Sequence, residues 1–305
     1  MTDLELGPLR FGVVGAGRLG LVLGRALQDA GFDVEHVSSR GADGRDRATH
    51  VLGVPAYDDV TLVTEQVDCV LICVADDALA DVVTQLATRR ADASPLRVRY
   101  VSTSARGGLA ALEPLAAAGH ATCVLHPVAS VADHSANPAL LAGAGAAIGA
   151  SDDATTTFAH ALAHAVGLVP FDLADSAWPI HAAACQLAST TVVAALSTAI
   201  GIAVDGADIH EAMARNAYAR LAASAVERVA RDGGTAALAG PVIRGDANTI
   251  AELDRVLHNV APHHADLFTA SIGSAAHTAF LGGRIDMDTL RSIEAAITTP
   301  PHEEQ

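Results

Sequence analysis

Three glycines close to the start constrain this chain more than anything else in it. Leu9-Arg-Phe-Gly-Val-Val14 reads as a short buried strand. Gly15-Ala16-Gly17-Arg18-Leu19-Gly20 follows as G-x-G-x-x-G, and Leu19 to Ala30 continues with helical periodicity. Strand, glycine turn and helix in that order form the entry to a dinucleotide-binding βαβ unit. Gly15 permits the tight turn, Gly17 lets a pyrophosphate approach the backbone, and Gly20 allows close packing of helix on strand. The free N–H groups of the helix start favour phosphate.

The second strand, Phe32 to Val37, indicates which dinucleotide to expect. It ends in Ser38-Ser39-Arg40, where NAD-binding units carry an acidic residue for the ribose 2′-hydroxyl. Two hydroxyls and a guanidinium suit a 2′-phosphate instead, through charge-assisted hydrogen bonds. Arg45 and Arg47 follow closely, with Asp43 and Asp46 as opposing charges in the same loop. NADP is therefore expected over NAD; the competing reading is a solvated loop that happens to contain arginines.

Length and composition narrow the rest. A chain of 305 residues accommodates two domains, and with half its residues hydrophobic but only 3% aromatic, the cores must be aliphatic. A net charge of −16 disfavours nucleic acid and anionic membranes as partners. The first residues, Met1-Thr-Asp-Leu-Glu-Leu6, lack a signal-peptide pattern. Ala182 to Val204 is long and apolar enough for a bilayer, but it contains Gln186 and several hydroxyls and has no cationic flank, so a buried helix is expected. Cys69, Cys73, Cys123 and Cys185 form no C-x-x-C pair and sit in apolar stretches, as buried thiols of a reducing, cytoplasmic protein do. His160 and His164 lack the glutamate of an H-E-x-x-H motif, and adjacent His263 and His264 diverge, so no metal site is expected. All 19 basic side chains are arginine, which excludes a lysine ammonium as proton donor.

Further along, Val54 to Tyr57 reads as a third strand and Asp68 to Ala75 as a doubly covered parallel strand. Asp76-Asp77 then suit a cap on a helix from Ala78 to Thr88. Arg97 to Ser104, Ala121 to Pro127, Gly145 to Gly149 and Leu168 to Asp172 read as further strands, with a helix from Ala154 to Val166. From Asp175 the pattern is helical throughout, and the tail from Thr298 to Gln305 reads as mobile. The expected architecture is a doubly wound, mostly parallel α/β Rossmann domain over residues 1–173 and an all-α domain over 174–305 for substrate and dimerisation. Ligands of such sheets lie beyond the carboxyl ends of the strands. Val74, Ala75, Asp76, Asp77, Ser102, Thr103, Ser104 and His126 should therefore face the nicotinamide half of the cofactor.

Leu125-His-Pro-Val-Ala-Ser130, Ile180-His-Ala-Ala-Ala184 and Leu238-Ala-Gly-Pro-Val-Ile-Arg-Gly-Asp246 resemble signature stretches of one bacterial family. It is a Rossmann-like family with a 6-phosphogluconate-dehydrogenase-like helical C-terminal domain of unassigned function. It is distantly similar to pyrroline-5-carboxylate reductases, to deazaflavin-dependent NADP reductases and to an alternative type of ketopantoate reductase. The resemblance covers nearly the whole chain. It implies the fold, an NADP site and a homodimer formed through the long central helix, with ketopantoate as the leading specific substrate. The chain departs from the family at Ser102-Thr-Ser-Ala-Arg-Gly107, where Ser-Gly-Ala is usual, and at Ser189-Thr190, where an asparagine is usual.

Reduction of a carbonyl by NADPH needs a proton donor and an anchor for the substrate's charge. Without lysine, the donor is His126, fixed by Pro127 at a strand end, or His181 at the start of the apolar helix; each also has a structural reading. Arg244 could fork onto a substrate carboxylate, or else pair with Asp246 and hold its loop. Asp246 suits an N-cap, and Ser102, Ser104 and Ser130 could hydrogen-bond substrate. The expected function is NADPH-dependent reduction of a small carboxylate-bearing carbonyl. The alternative is a non-catalytic NADP-binding sensor.

Overall fold

The computed structural model describes residues 6–90 and 98–298, so the C-terminal tail and the start of the strand expected from Arg97 lie outside the described residues. The chain divides into two compact units, Met1–Gln186 and Leu187–Gln305. The first is built on one eight-stranded sheet. Its strands are β1 (Arg10–Val14), β2 (Asp33–Ser38), β3 (Ala56–Tyr57), β4 (Cys69–Ile72), β5 (Arg99–Ser102), β6 (Ala121–Val128), β7 (Gly145–Ala150) and β8 (Val169–Asp172). The order is β3-β2-β1-β4-β5-β6-β7-β8, and all pairs are parallel except β6 with β7. The chain winds outward from β1 in both directions, so strand order reverses between β1 and β4. That reversal is where an open α/β sheet leaves a crevice at its carboxyl edge.

The period of two in the strands splits the core between the two faces. Val13, Leu71, Val101, Cys123 and Leu125 point to one side, where they pack with Leu21, Leu27, Phe158 and Leu162 of α1 (Arg18–Asp29) and α5 (Asp153–Ala165). Val14, Val70, Ile72, Tyr100 and Val124 point to the other, against Val83 and Leu86 of α3 (Leu79–Arg90), Leu115 of α4 (Glu113–Ala117) and Trp178. Strands covered on both faces read as unbroken apolar runs, which is why Cys69–Ile72 is fully buried. A further helix, α2 (Ala42–Leu52), has Gly41 at its N-cap.

Asp175–Gln186, expected with the helical part, belongs to the first unit. The reason is Trp178, which opens α6 (Trp178–Gln186) and is 1% exposed. A Cβ placed on Gly108 would lie 2.3 Å from the indole Cδ1, and one on Gly149 would lie 3.0 Å from Cζ2. These two glycines leave the notch that seats the ring.

A π-helical turn at Leu187–Thr191 leads into the second unit, which holds α7 (Val192–Ala207), α8 (Glu211–Asp232), α9 (Gly234–Ala237), α10 (Pro241–Arg244), α11 (Ala247–Val260), α12 (Pro262–Leu281) and α13 (Met287–Thr298). Its core gathers Val242, Ile250, Ala276, Ala279, Leu290 and Ile293. Asp254 is buried there as well, accepting a hydrogen bond from Thr269 Oγ1 at 2.9 Å and lying 3.2 Å from His258 Nδ1. The expectation that Ala182 to Val204 is buried is corrected. Among the residues of α7 only Ala203 is buried, and Val193 is 64% exposed. The continuous helical stretch Asp175–Ala207 has the length and mean hydropathy (1.9) of a membrane span by composition alone.

Asp152 caps α5 with its Oδ1, which accepts from the Thr155 N–H at 2.8 Å and from the Thr155 hydroxyl at 2.9 Å. These bonds hold the carboxyl below its ordinary range. A depressed carboxylate stabilises the fold above the unfolded-state pKa, and that contribution disappears as pH falls through the folded value. Asp152→Ala should cost about 1 kcal/mol in denaturant titration at neutral pH. Asp152→Asn should keep most of the cap while flattening the acid limb of the stability profile.

Candidate active site

The register of the parallel strands sets the site. Val14 pairs with Ile72, Ile72 with Ser102, and Ser102 with Val124. The chain therefore leaves the sheet at Gly15, Cys73 and Thr103 along one line, with His126 just beyond that line on the longer β6. Gly15, Ala16, Gly17, Arg18, Leu19, Gly20, Val74, Ala75 and Asp76 all fall at this edge, as the sequence requires.

The glycine turn is shaped by close backbone approach. Gly15 has φ +107°, and its N–H donates to the Ser38 carbonyl at 2.9 Å. A Cβ on Gly15 would meet the Cys73 carbonyl oxygen at 2.3 Å, and one on Gly20 would meet the Gly15 oxygen at 2.0 Å. Gly17 is different, because a Cβ there would meet nothing within 4 Å. It sits at the N-cap of α1 with no side chain capping the helix and no acidic residue in the first turn. The open space and uncapped N–H groups fit a phosphate diester. Arg18 ties this turn to the segment after β6, donating from Nη1 to the Ala132 carbonyl at 3.1 Å.

At the tip of β2, Ser38 is buried, Ser39 is partly exposed and Arg40 is exposed. Arg45 organises this tip. Its Nη1 donates to the Ser39 carbonyl at 2.9 Å and to the Arg40 carbonyl at 2.8 Å, so the guanidinium is held at the carboxyl end of β2.

Beyond β4 and β5 a short polar network forms. Asp76 Oδ1 accepts from the Ser104 hydroxyl at 2.6 Å, and Ser104 Oγ in turn accepts the Arg106 N–H at 3.0 Å. Ser102 is buried, and its Oγ accepts the Ser104 N–H at 3.2 Å, so this hydroxyl shapes the loop. Thr103 is anchored to β4 by its N–H, which donates to the Ile72 carbonyl at 3.0 Å.

The two histidines meet. His126 Nδ1 lies 2.8 Å from the Thr103 carbonyl oxygen. A carbonyl can only accept, so Nδ1 carries the proton and Nε2 is the free ring nitrogen. The His181 ring stands edge-on to it, with centroids 5.4 Å apart and an interplanar angle of 87°. Phe171 and Trp178 pack around His181 at 5.9 and 6.0 Å between centroids. Burial, and then the neighbouring His126, hold the His181 imidazolium below its ordinary range. One turn further along α6, the Cys185 thiol lies 3.7 Å from His181 Nε2. This thiol is partly exposed, which corrects the expectation of four buried cysteines; Cys69, Cys73 and Cys123 are buried as expected.

Sequence reasoning missed Cys185, although its spacing of four from His181 on a helix was a usable signal. It also missed Trp178 and Arg45 as organising residues. Of the remaining candidates, Ser130 is exposed after β6, and Arg244 ends α10 in the second unit, exposed to solvent near Asp246. Asp246 is the N-cap of α11, accepting the Thr249 N–H at 3.2 Å. His160, weighed for metal, instead pairs with Asp172 at 2.6 Å.

The comparisons with known proteins bear on the fold that carries this site. Residues 1–127 match the model of a Rossmann-like domain, and residues 145–273 match that of a domain of unknown function, DUF2520. The chain therefore carries a Rossmann-like domain followed by a DUF2520 domain, in line with the resemblance read from the sequence. Among solved structures, a proposed NADP oxidoreductase from Bacteroides fragilis is similar with TM-score 0.72 and 18% identity, covering 88% of this chain and 98% of its own. A protein from Thermotoga maritima follows at TM-score 0.67 and 17% identity, covering 90% and 99%. The pyrroline carboxylate reductase of Plasmodium falciparum, solved with NADP bound, has TM-score 0.57 and 12% identity, covering 89% and 98%. At these identities the likeness establishes the fold. No curated protein sequence matches the chain.

The glycine turn yields a paired prediction. Gly20→Ala should destabilise the protein by about 1–3 kcal/mol, because backbone must move to admit the methyl group. Gly17→Ala should leave the melting temperature unchanged but weaken dinucleotide binding measured by calorimetry, because only a bound phosphate would meet the new methyl.

Proposed function

We propose that this protein is an NADPH-dependent oxidoreductase that reduces a small carboxylate-bearing carbonyl, with a 2-keto acid such as ketopantoate as its leading substrate. Reduced nicotinamide supplies the hydride when bound. Gly15, Gly17, Gly20 and the start of α1 would hold its pyrophosphate, and Ser39, Arg40 and Arg45 its 2′-phosphate. The observation that carries the reading is the Thr103–His126–His181 arrangement at the carboxyl edge of the sheet.

The chemistry at this edge follows from the tautomer. The Thr103 carbonyl accepts the Nδ1 proton of His126 and stabilises positive charge on that ring, much as a carboxylate would more strongly. Nε2 of His126 is therefore the ring nitrogen placed to pass a proton to the substrate oxygen. His181, whose charge is disfavoured by burial and then by His126, packs edge-on against that ring and orients it. A positioned imidazole of this kind contributes about 10²–10⁴-fold.

The exposed apolar faces of α7 and α8, including Val193, Met213 and Leu221, support a homodimer through the helical unit, with a second copy covering them. The free buried thiols Cys69, Cys73 and Cys123 suit a reducing cytoplasm.

The test is NADPH oxidation across a panel of 2-keto acids and cyclic imines, with NADH alongside. Turnover should prefer NADPH and fall about 10²–10⁴-fold in kcat for His126→Ala. Arg40→Glu should erode the preference for NADPH over NADH by about 10–100-fold, the worth of one hydrogen bond to a charged group. Tight NADPH binding with no turnover of any substrate would favour the sensor instead. Light scattering should report twice the chain mass, and a monomer would overturn the dimer.

A further inference from the structure

The carboxyl edge of the sheet carries one group of side chains that proton transfer does not fully use. His126, His181 and Cys185 place their donor atoms within 4.8 Å of one another, and all three are partly buried. We propose that these residues form a site for a thiophilic divalent cation, Zn2+ by its chemistry, with two imidazole nitrogens and one thiolate as ligands. The inference rests on the reading of the previous subsection for its consequence only, and not for the site itself.

Four features point to a metal. Cys185 and His181 are one helical turn apart, so both project from one face of α6, and their donor atoms are already 3.7 Å apart. Zn–S and Zn–N bonds of about 2.3 and 2.0–2.1 Å at a tetrahedral angle need a separation of about 3.6 Å. His126 approaches from β6, an independent element, so the ligands converge from two directions. Its Nδ1–H is committed to the Thr103 carbonyl at 2.8 Å, which fixes the ring and leaves Nε2 as a lone pair; metal-binding histidines are oriented in just this way by a backbone carbonyl. The donor set of two nitrogens and one sulfur, with no carboxylate, suits Zn2+ and rejects Mg2+ and Ca2+. Three protein ligands leave a fourth position for water or a substrate oxygen.

Binding is balanced by one proton. The Cys185 thiol loses its proton to solvent as the Zn–S bond forms, and both imidazoles bind in their neutral form. Occupancy then takes the Nε2 lone pair of His126, the same position that carries the transferred proton. The metal-free and metal-loaded forms therefore differ in whether His126 can act as an acid.

The experiment uses the full-length protein stripped with a chelator and titrated with Co2+ under reducing, oxygen-free conditions. A thiolate-to-cobalt charge-transfer band should grow to one equivalent, with the intense visible absorption of a tetrahedral ion, and Zn2+ should abolish it. Cys185 is the cysteine placed to supply that band, since it is the one grouped with His126 and His181 and is partly exposed, whereas Cys69, Cys73 and Cys123 are buried. Cys185→Ser and His126→Ala should each lose the band while melting like the parent, and His160→Asn, a surface histidine paired with Asp172, should keep it. Absence of the band in the parent, or its survival in Cys185→Ser, would overturn the site. NADPH oxidation is followed in the same titration. It should fall as the band fills; turnover that persists at full occupancy would overturn His126 as the acid and leave the metal site standing.

Discussion

The seating of Trp178 between Gly108 and Gly149 is the contact on which the rest of the candidate site depends. The indole fills a notch that either glycine's Cβ would occupy, and it belongs to the apolar layer that includes Tyr100, Leu115 and Val124. Through it the first turn of α6 is bound to the sheet, although the helix that follows is exposed. His181 is three residues on and Cys185 a further turn, so one buried aromatic fixes the direction from which both approach β6. Hydrophobic burial is not directional, but a close-packed ring in a fitted notch is. The polar geometry at the carboxyl edge inherits its precision from that packing.

A second constraint acts at the other end of the crevice. The Gly15 and Gly20 positions are pressed against backbone oxygens at distances no side chain tolerates, while Gly17 faces open space. The three glycines of one motif therefore do two kinds of work. Two allow the protein to pack on itself, and one keeps a surface clear for something else. Arg45, which bonds two carbonyls at the tip of β2, extends the same economy, since it shapes its loop and holds a positive charge there together.

The histidine pair is held in a defined arrangement at an edge that has no lysine. A backbone carbonyl sets the tautomer of His126, and its neighbour is kept neutral by burial and by proximity to a like group. Burial, and then the nearby His126, both work against charge on the His181 ring. The same lone pairs with the Cys185 thiol make the donor set of the proposed metal site, so the proposed acid chemistry and the proposed metal binding would draw on one piece of geometry.

Much of this was legible in the chain itself. The glycine spacing between one buried strand and one helix determined the βαβ entry, because only glycine meets those backbone requirements. The apolar runs at Cys69–Ile72 and Ala121–Pro127 determined a doubly covered sheet, because strands buried on both faces do not alternate. The absence of lysine and the placing of His126 at a strand end made histidine the candidate for the proposed acid. What the sequence could not decide was which residues meet. His126 and His181 are separated by 55 positions, and their encounter depends on the register of β6 and on the seat of Trp178. The fate of the long apolar helix was equally hidden: hydropathy says that Ala182 to Val204 avoids water, but only tertiary structure shows that one chain does not cover it. Local pattern fixes what each segment becomes, because propensity and periodicity act over neighbours, whereas a site is a set of distances between segments that only packing determines.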